Sequence, residues 1–173
     1  MLQELGEKYG FGVTIADLIG DGPAISSTRI REALTDGRPE DAAKMLGHLH
    51  RIEGEIIRGD QRGRELGYPT ANMMIDGLHP PKYGIYAVRV RVLTGENQGE
   101  YDGVASIGIR PMFDGDIPNC ETFVFDFSGD LYGAQLSIAL VAYLRPEVKF
   151  DSLDALIEQM DADSAQARAI LAE

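Results

Sequence analysis

Gln135-Leu136-Ser137-Ile138-Ala139-Leu140-Val141-Ala142-Tyr143-Leu144-Arg145 alternates along its whole length, with Leu136, Ile138, Leu140, Ala142 and Leu144 on one parity. Gln135, Ser137, Ala139, Val141 and Tyr143 take the other. Successive side chains of a strand point to opposite faces, so this period of two predicts a strand with one face on a core. Upstream, Val88, Val90 and Val92 alternate with Arg89 and Arg91, and Phe123, Phe125 and Phe127 alternate with Val124 and Asp126. Arg51 to Arg58 and Tyr101 to Ile107 are shorter strand candidates. Several short strands with no helix between them favour a small antiparallel, Greek-key-like β-barrel, and make the chain mainly β.

The flanks read differently. After Pro146, Asp151 is the expected N-cap of a helix with Asp154 three residues on and an apolar stripe of Leu153, Leu156, Ile157 and Met160. A last short helix is expected from Ser164 to Leu171, so the barrel carries C-terminal helices. Before residue 50 the chain reads as an α/β fragment. Phe11 to Ile19 is strand-like and ends at Gly20-Asp21-Gly22-Pro23. Ile30, Ala33 and Leu34 recur at helical spacing up to Gly37, and Pro39, Glu40 and Asp41 open a further helix that Gly47 closes. The expected division is 1–47 and 48–173.

Composition excludes several classes. The 173 residues are long enough for a core, and 44% apolar with 25% charged residues is a globular balance. No apolar run reaches the ~20 residues that cross a bilayer, and no secretory leader is read at the start, so no membrane partner is expected. Cys120 is the single cysteine, which excludes an intramolecular disulfide framework and a Cys-based zinc cluster and fits a reducing cytoplasm. With 16 bases against 28 acids the net charge is −12, which repels nucleic-acid backbones. A small phosphorylated ligand stays compatible with that charge, given a local gathering of bases, amides and metal.

The stretch richest in chemistry is Gly59-Asp60-Gln61-Arg62-Gly63-Arg64-Glu65-Leu66-Gly67-Tyr68-Pro69-Thr70-Ala71-Asn72. Its glycines permit a loop whose amides approach an anion. It lacks the Gly-Lys-Ser/Thr ending of a Walker loop, and on glycine content alone a plain barrel turn is the simpler reading. Pro69 stiffens the segment, and Thr70 and Asn72, two apart in extended backbone, face one side. A hydroxyl and an amide oxygen on one side suit Mg²⁺; an ordinary turn-stabilising pair is the alternative. Glu121 shares the parity of Phe123, Phe125 and Phe127, so its carboxylate emerges on the aromatic face, either at a pocket mouth or at a frayed strand end. Asp126 lies on the opposite face of that strand, Asp130 is an ordinary turn residue, and His48, His50 and His79 lack metal-site spacing.

Gly67-Tyr68-Pro69-Thr70-Ala71-Asn72 resembles the signature of riboflavin kinases. Tyr83-Gly84-Ile85-Tyr86, Ser106-Ile107-Gly108-Ile109-Arg110-Pro111, Glu121 with Asp130-Leu131-Tyr132-Gly133, and Leu144-Arg145-Pro146 with Phe150 come in the family's order, over about residues 48 to 172. Ile25-Ser26-Ser27-Thr28-Arg29-Ile30-Arg31 resembles the end of the FMN adenylyltransferase domain that precedes the kinase in bacterial bifunctional enzymes. The upstream nucleotide-binding segment of that domain does not occur here, so 1–47 reads as its C-terminal remnant. There Ser27, Thr28 and Arg31 cradle a phosphate or merely cap a helix.

The resemblance implies Mg-ATP-dependent phosphorylation of riboflavin to FMN, with Glu121 as the base. It implies nucleotide contacts from Gly59, Arg62, Gly63, Arg64, Gly67, Pro69 and Thr70, and magnesium at Thr70 and Asn72. Gly108, Arg110, Arg145 and Phe150 would line a flavin slot between the barrel, the Gly108 to Asn119 loop and the C-terminal helices. Plain alternatives are surface ion pairs for the two arginines and a helix-docking anchor for Phe150. The loop from Pro111 to Pro118 is expected to close over substrate. Two other functions stay open: a flavin-binding module without turnover, and FMN adenylyl transfer as the main activity. The expected partners are small molecules in the cytoplasm, and a homo-oligomer of a full-length parent is compatible.

Overall fold

The computed structural model describes residues 1–15, 24–59, 63, 66–112 and 115–173. Three helices, α1 (Leu2–Tyr9), α2 (Ser27–Thr35) and α3 (Pro39–Leu46), precede strands β1 (Arg51–Ile57), β2 (Thr70–Met74), β3 (Gly84–Val92), β4 (Gly99–Met112), β5 (Gly115–Val124) and β6 (Gln135–Arg145). A long helix, α4 (Leu153–Leu171), comes last. The strands close into an antiparallel barrel in the order β1-β2-β5-β4-β3-β6. β3, β4 and β5 run as consecutive neighbours and β6 returns beside β3, which is the Greek-key connection expected.

Inward positions fill the barrel with Ile52, Ile56, Met73, Tyr86, Val88, Val90, Ile107, Cys120, Leu136, Ile138 and Leu140. A second apolar layer lies outside it, where Ala87, Val104, Phe123, Phe125, Ala142 and Leu144 meet Ala167, Ile170 and Leu171 of α4. Alanine on both the strands and the helix lets α4 approach the sheet closely.

The alternation along β6 is not carried through as the sequence suggests. Ala87 pairs with Ala142 but Val88 with Leu140, and Tyr86 pairs with Tyr143 but Ile85 with Arg145, so β6 bulges at Val141 and at Leu144. The first bulge turns Tyr143 to the barrel core and Ala142 outward under α4. The second returns Arg145 to the outer face, beside Ile85. Each extra residue reverses the parity of the strand beyond it, which re-aims a side chain without ending the strand.

Other expectations are corrected. β5 ends at Val124, and Asp126 stands in the turn after it with φ 54°, so it is not on the opposite face of that strand. Its carboxylate pairs with Arg168 of α4 at 2.7 and 2.9 Å. The turn also breaks the parity of Phe127, which packs on the barrel core edge-on to Tyr101. The C-terminal cover is one helix of 19 residues, so the short helix expected from Ser164 is its second half. Its N-cap is Ser152, whose hydroxyl accepts from the Ala155 amide at 3.2 Å, one residue past the expected Asp151. Pro111 and Pro118 belong to paired strand, with the β4–β5 ladder running out to Met112 and Gly115. The expected loop is thus a hairpin arm. Phe11 to Ile15 forms no strand, both ends of that run are exposed, and 16–23, with the expected turn, lie outside the described residues. α1 stands just ahead of it.

α2 and α3 form as read. The cap of α2 is Ser26, one residue before the expected Ser27, Thr28 and Arg31, which lie within the helix, and Gly47 ends α3 in the left-handed region as expected. The pair buries Ala33, Leu34 and Ala42 together, and the Lys82 amide donates to Leu34 O at 2.9 Å, tying the hairpin to the segment before β3.

The strongest tie between α4 and the barrel is ionic. Arg145 donates from Nε to both Asp163 oxygens at 2.9 and 3.1 Å and from Nη2 at 2.7 Å. The side chains are only 18% and 5% exposed. Asp163→Ala leaves a buried guanidinium unpaired, and a loss of about 3–5 kcal/mol is expected in urea unfolding. Burial in the core pushes the Cys120 thiol up to about 11. At pH 8 it is therefore expected to react with a thiol reagent only as fast as the protein unfolds; rapid native labelling would contradict this.

Candidate active site

β2 lies beside β5 with Thr70 opposite Phe123 and Asn72 opposite Glu121. On the other side of β5, Ser106 of β4 is opposite Glu121. Directly paired residues share a face, and inward positions here belong to Ala71, Met73, Cys120 and Ile107. Thr70, Asn72, Glu121, Phe123 and Ser106 therefore stand on the outside of the barrel. α4 and the strap from Pro146 to Ser152 cover that outer face and leave a cavity of about 260 Å³.

Thr70 and Glu121 both line this cavity, as do Arg145 and Phe150. Its walls are otherwise mostly apolar, with Ile85, Val104 and Phe123 from the sheet and Val148, Leu156 and Met160 from strap and helix. The Glu121 carboxylate is held at one oxygen by Asn119 Nδ2 at 3.0 Å. Asn119 is itself nearly buried, so the acid is oriented by a fixed amide and keeps its second oxygen for the cavity. Asn72 is 6% exposed. Its amide nitrogen donates to Thr70 O at 3.3 Å and reaches Thr70 Oγ1 at 3.4 Å, so hydroxyl and amide adjoin as the two-residue spacing predicts.

Gly59 packs on Asn72, and a Cβ there would overlap the amide. Gly63 O accepts from the amides of Leu66 and Tyr68 at 3.1 and 2.8 Å, closing a turn. Gly67 has φ 82°, a conformation that glycine takes without strain. The candidate phosphate contacts Arg62 and Arg64 lie outside the described residues. Pro69 and Thr70 line a second cavity of about 550 Å³ at the barrel end, with Phe127, Asp130, Leu131 and Tyr132. Thr70 thus stands between two cavities.

Among the residues expected to line a flavin slot, Arg145 is engaged: Asp163 takes Nε and Nη2, Pro146 O takes Nη1 at 2.9 Å, and its carbon stands 5.8 Å from the Phe150 ring centre. These bonds use three of its five N–H donors and brace the wall. Gly108 leaves room for the Glu147 carboxylate, which a Cβ would overlap. Arg110 is paired with Ile117 through the backbone, and its side chain lies outside what is described.

Several lining residues escape the sequence reading. Tyr68 stacks on Phe123 at 4.8 Å and donates to Asp161 of α4. Burial first and that carboxylate second hold its hydroxyl above the ordinary phenol range. Glu147, Asp163 and Ser164 also line the cavity. Asp163 left a readable trace, because it continues the stripe Leu156, Met160, Ala167 and so places an acid on an apolar helix face. Among the described residues no group of three His, Cys, Asp or Glu is arranged to hold a metal. Nor is any helix long and apolar enough to cross a membrane.

A family model described as riboflavin kinase matches residues 46–171. The chain is 39% identical over 166 residues to the bifunctional riboflavin kinase/FMN adenylyltransferase of Listeria monocytogenes, covering 94% of this chain and 52% of that one. To the Escherichia coli K12 protein of the same name it is 38% identical over 169 residues, covering 97% and 53%. A solved structure described as a macrolide-efflux protein from Streptococcus pneumoniae superposes with a TM-score of 0.83 at 36% identity, over 96% of this chain and 54% of that one. The riboflavin kinase of Trypanosoma brucei superposes with a TM-score of 0.50 at 26% identity, over 71% and 80%. The chain spans about half the length of the curated relatives it matches. With the match running through every strand of the barrel and α4, the chain belongs to the riboflavin kinase family.

Proposed function

We propose that this chain transfers the γ-phosphoryl group of ATP to the terminal ribityl hydroxyl of riboflavin, giving FMN and ADP. The observation that carries the reading is the convergence of Thr70 and Glu121 on one cavity, with Thr70 also at the edge of a second. The flavin takes the apolar cavity under α4, its ring against the Phe123, Phe150 and Met160 walls. The nucleotide takes the barrel-end cavity, so that its phosphates pass Thr70.

The Thr70 hydroxyl is a hard oxygen donor that fits a divalent cation, and Asn72, whose amide nitrogen faces that hydroxyl, would join it by turning its amide oxygen to the ion. Magnesium bound there supplies neutralisation of charge on the phosphates. Glu121, held by Asn119, aligns the hydroxyl and takes its proton as the new P–O bond forms and the bond to ADP breaks. Gly59 keeps the loop backbone against Asn72, and the amides from Gly59 to Gly63 hold phosphate oxygens, with Arg62 or Arg64 as charged contacts. Tyr68 and the Arg145–Asp163 pair hold α4 over the flavin and keep water from the transferring group.

Residues 1–47 fit the remnant of an adenylyltransferase domain, in line with a chain half as long as its bifunctional relatives. FAD synthesis would then belong to a full-length parent, and the oligomeric state to that parent too. A cytoplasmic location suits a single, buried, reduced cysteine.

Chromatography of a mixture with riboflavin, ATP and Mg²⁺ is expected to show FMN; flavin binding with no FMN would favour the binding-module reading. Glu121→Gln is expected to lower kcat by ~10²–10⁴-fold with little change in flavin affinity, and near-normal turnover would remove Glu121 from the role. Thr70→Ala is expected to raise the magnesium and ATP concentrations needed for half-maximal rate while flavin binding survives. An unchanged magnesium dependence counts against that role.

A further inference from the structure

Beyond Glu121 the polar groups of the flavin cavity continue in one direction. Ser106 is the cross-strand neighbour of Glu121, one strand spacing or ~4.8 Å away. Its hydroxyl donates to Glu147 Oε1 at 3.4 Å. Glu147 comes from the strap after β6, lines the cavity, and lies where the missing side chain of Gly108 leaves space. Two carboxylates and a hydroxyl therefore form an acceptor-rich row along one side of a cavity whose other walls are mostly apolar. The row starts at the group that meets the reacting hydroxyl and leads away from Thr70.

We infer that Glu147 reads the polyol arm of the substrate, accepting hydrogen bonds from ribityl hydroxyls short of the terminal one, and that Gly108 is glycine to seat it. This rests on the riboflavin kinase reading and adds a specificity residue to it. The chemistry is set by the kind of ligand the row can bind. Carboxylates only accept, so their ligand must bring donors, and a chain of vicinal hydroxyls brings one per carbon. The isoalloxazine ring needs flat apolar walls, which the rest of the cavity supplies. A flavin without the hydroxylated arm gains from the walls and nothing from Glu147.

Riboflavin and lumiflavin, which has the same ring with a methyl group in place of the ribityl arm, separate the two contributions. Their fluorescence gives Kd for the native chain, Glu147→Ala, Gly108→Ala and the double variant. Glu147 is exposed on its outer side, and neither change removes core packing. Glu147→Ala is expected to weaken riboflavin roughly ten- to hundredfold, as losing a hydrogen bond to a charged group does, and to leave lumiflavin unchanged. Gly108→Ala displaces the carboxylate and is expected to reproduce that selective loss, but to add nothing once Glu147 is alanine. Equal weakening of both flavins, no loss for riboflavin, or additive losses in the double variant would overturn the inference. A native chain that binds neither flavin overturns the riboflavin kinase reading itself, and this inference with it.

Discussion

The register of β2 against β5 is the constraint on which the site depends. Asn72 opposite Glu121 and Thr70 opposite Phe123 place a hydroxyl, an amide and a carboxylate on one outward face of two neighbouring strands. A slip of one residue would send Glu121 into the barrel and Cys120 out. The inward set that prevents the slip, Ala71 and Met73 on β2 with Cys120 and Thr122 on β5, is buried and packed. Packing of the core thus sets the geometry of the candidate site, and Ile56, Ala71 and Val124 of that core also line the barrel-end cavity beside Thr70.

The candidate site lies on the outside of the barrel, and the phosphoryl transfer proposed for it needs a cover, because the acceptor must compete with water. α4 and the strap provide it: α4 is held by Arg145 to Asp163, Tyr68 to Asp161 and Arg168 to Asp126, and the strap by Ser106 to Glu147 and Arg145 to the Pro146 carbonyl. The two bulges of β6 belong to the same arrangement. They let one strand give Leu136, Ile138 and Leu140 to the barrel, Ala142 and Leu144 to the helix, and Arg145 to the cavity. The cavity is therefore bounded by parts far apart in the chain, with Tyr68 at one end and Ser164 at the other.

Much of this was legible before any coordinates. Most strands of the barrel can be read from alternation, though not β2 or the β4–β5 arm, the start and end of α3 from Pro39 and Gly47, and the nearness of Thr70 and Asn72 from their spacing. Reading failed where local pattern and tertiary packing diverge. Alternation in residues 135–145 looks unbroken because Ala142 and Leu144 are as apolar as Leu140, and only the partner strand shows that two residues are extra. Phe127 keeps the parity of Phe123 on paper, but Asp126 in the left-handed region turns the chain. Phe11 to Ile15 has strand-like composition, yet among the described residues it pairs with no strand.

By itself the sequence determined the strand-rich core, the helical ends, and the residues whose types and order mark the kinase family, because these rest on periodicity and on short spacings that survive any packing. The tertiary structure alone decided that the candidate site lies outside the barrel, that Thr70 and Glu121 line one cavity there, and that Asp163, Tyr68 and Glu147 line it with them. Those facts depend on strand register and on where one helix docks. Both are set by contacts between segments distant in the chain, and no local pattern encodes them.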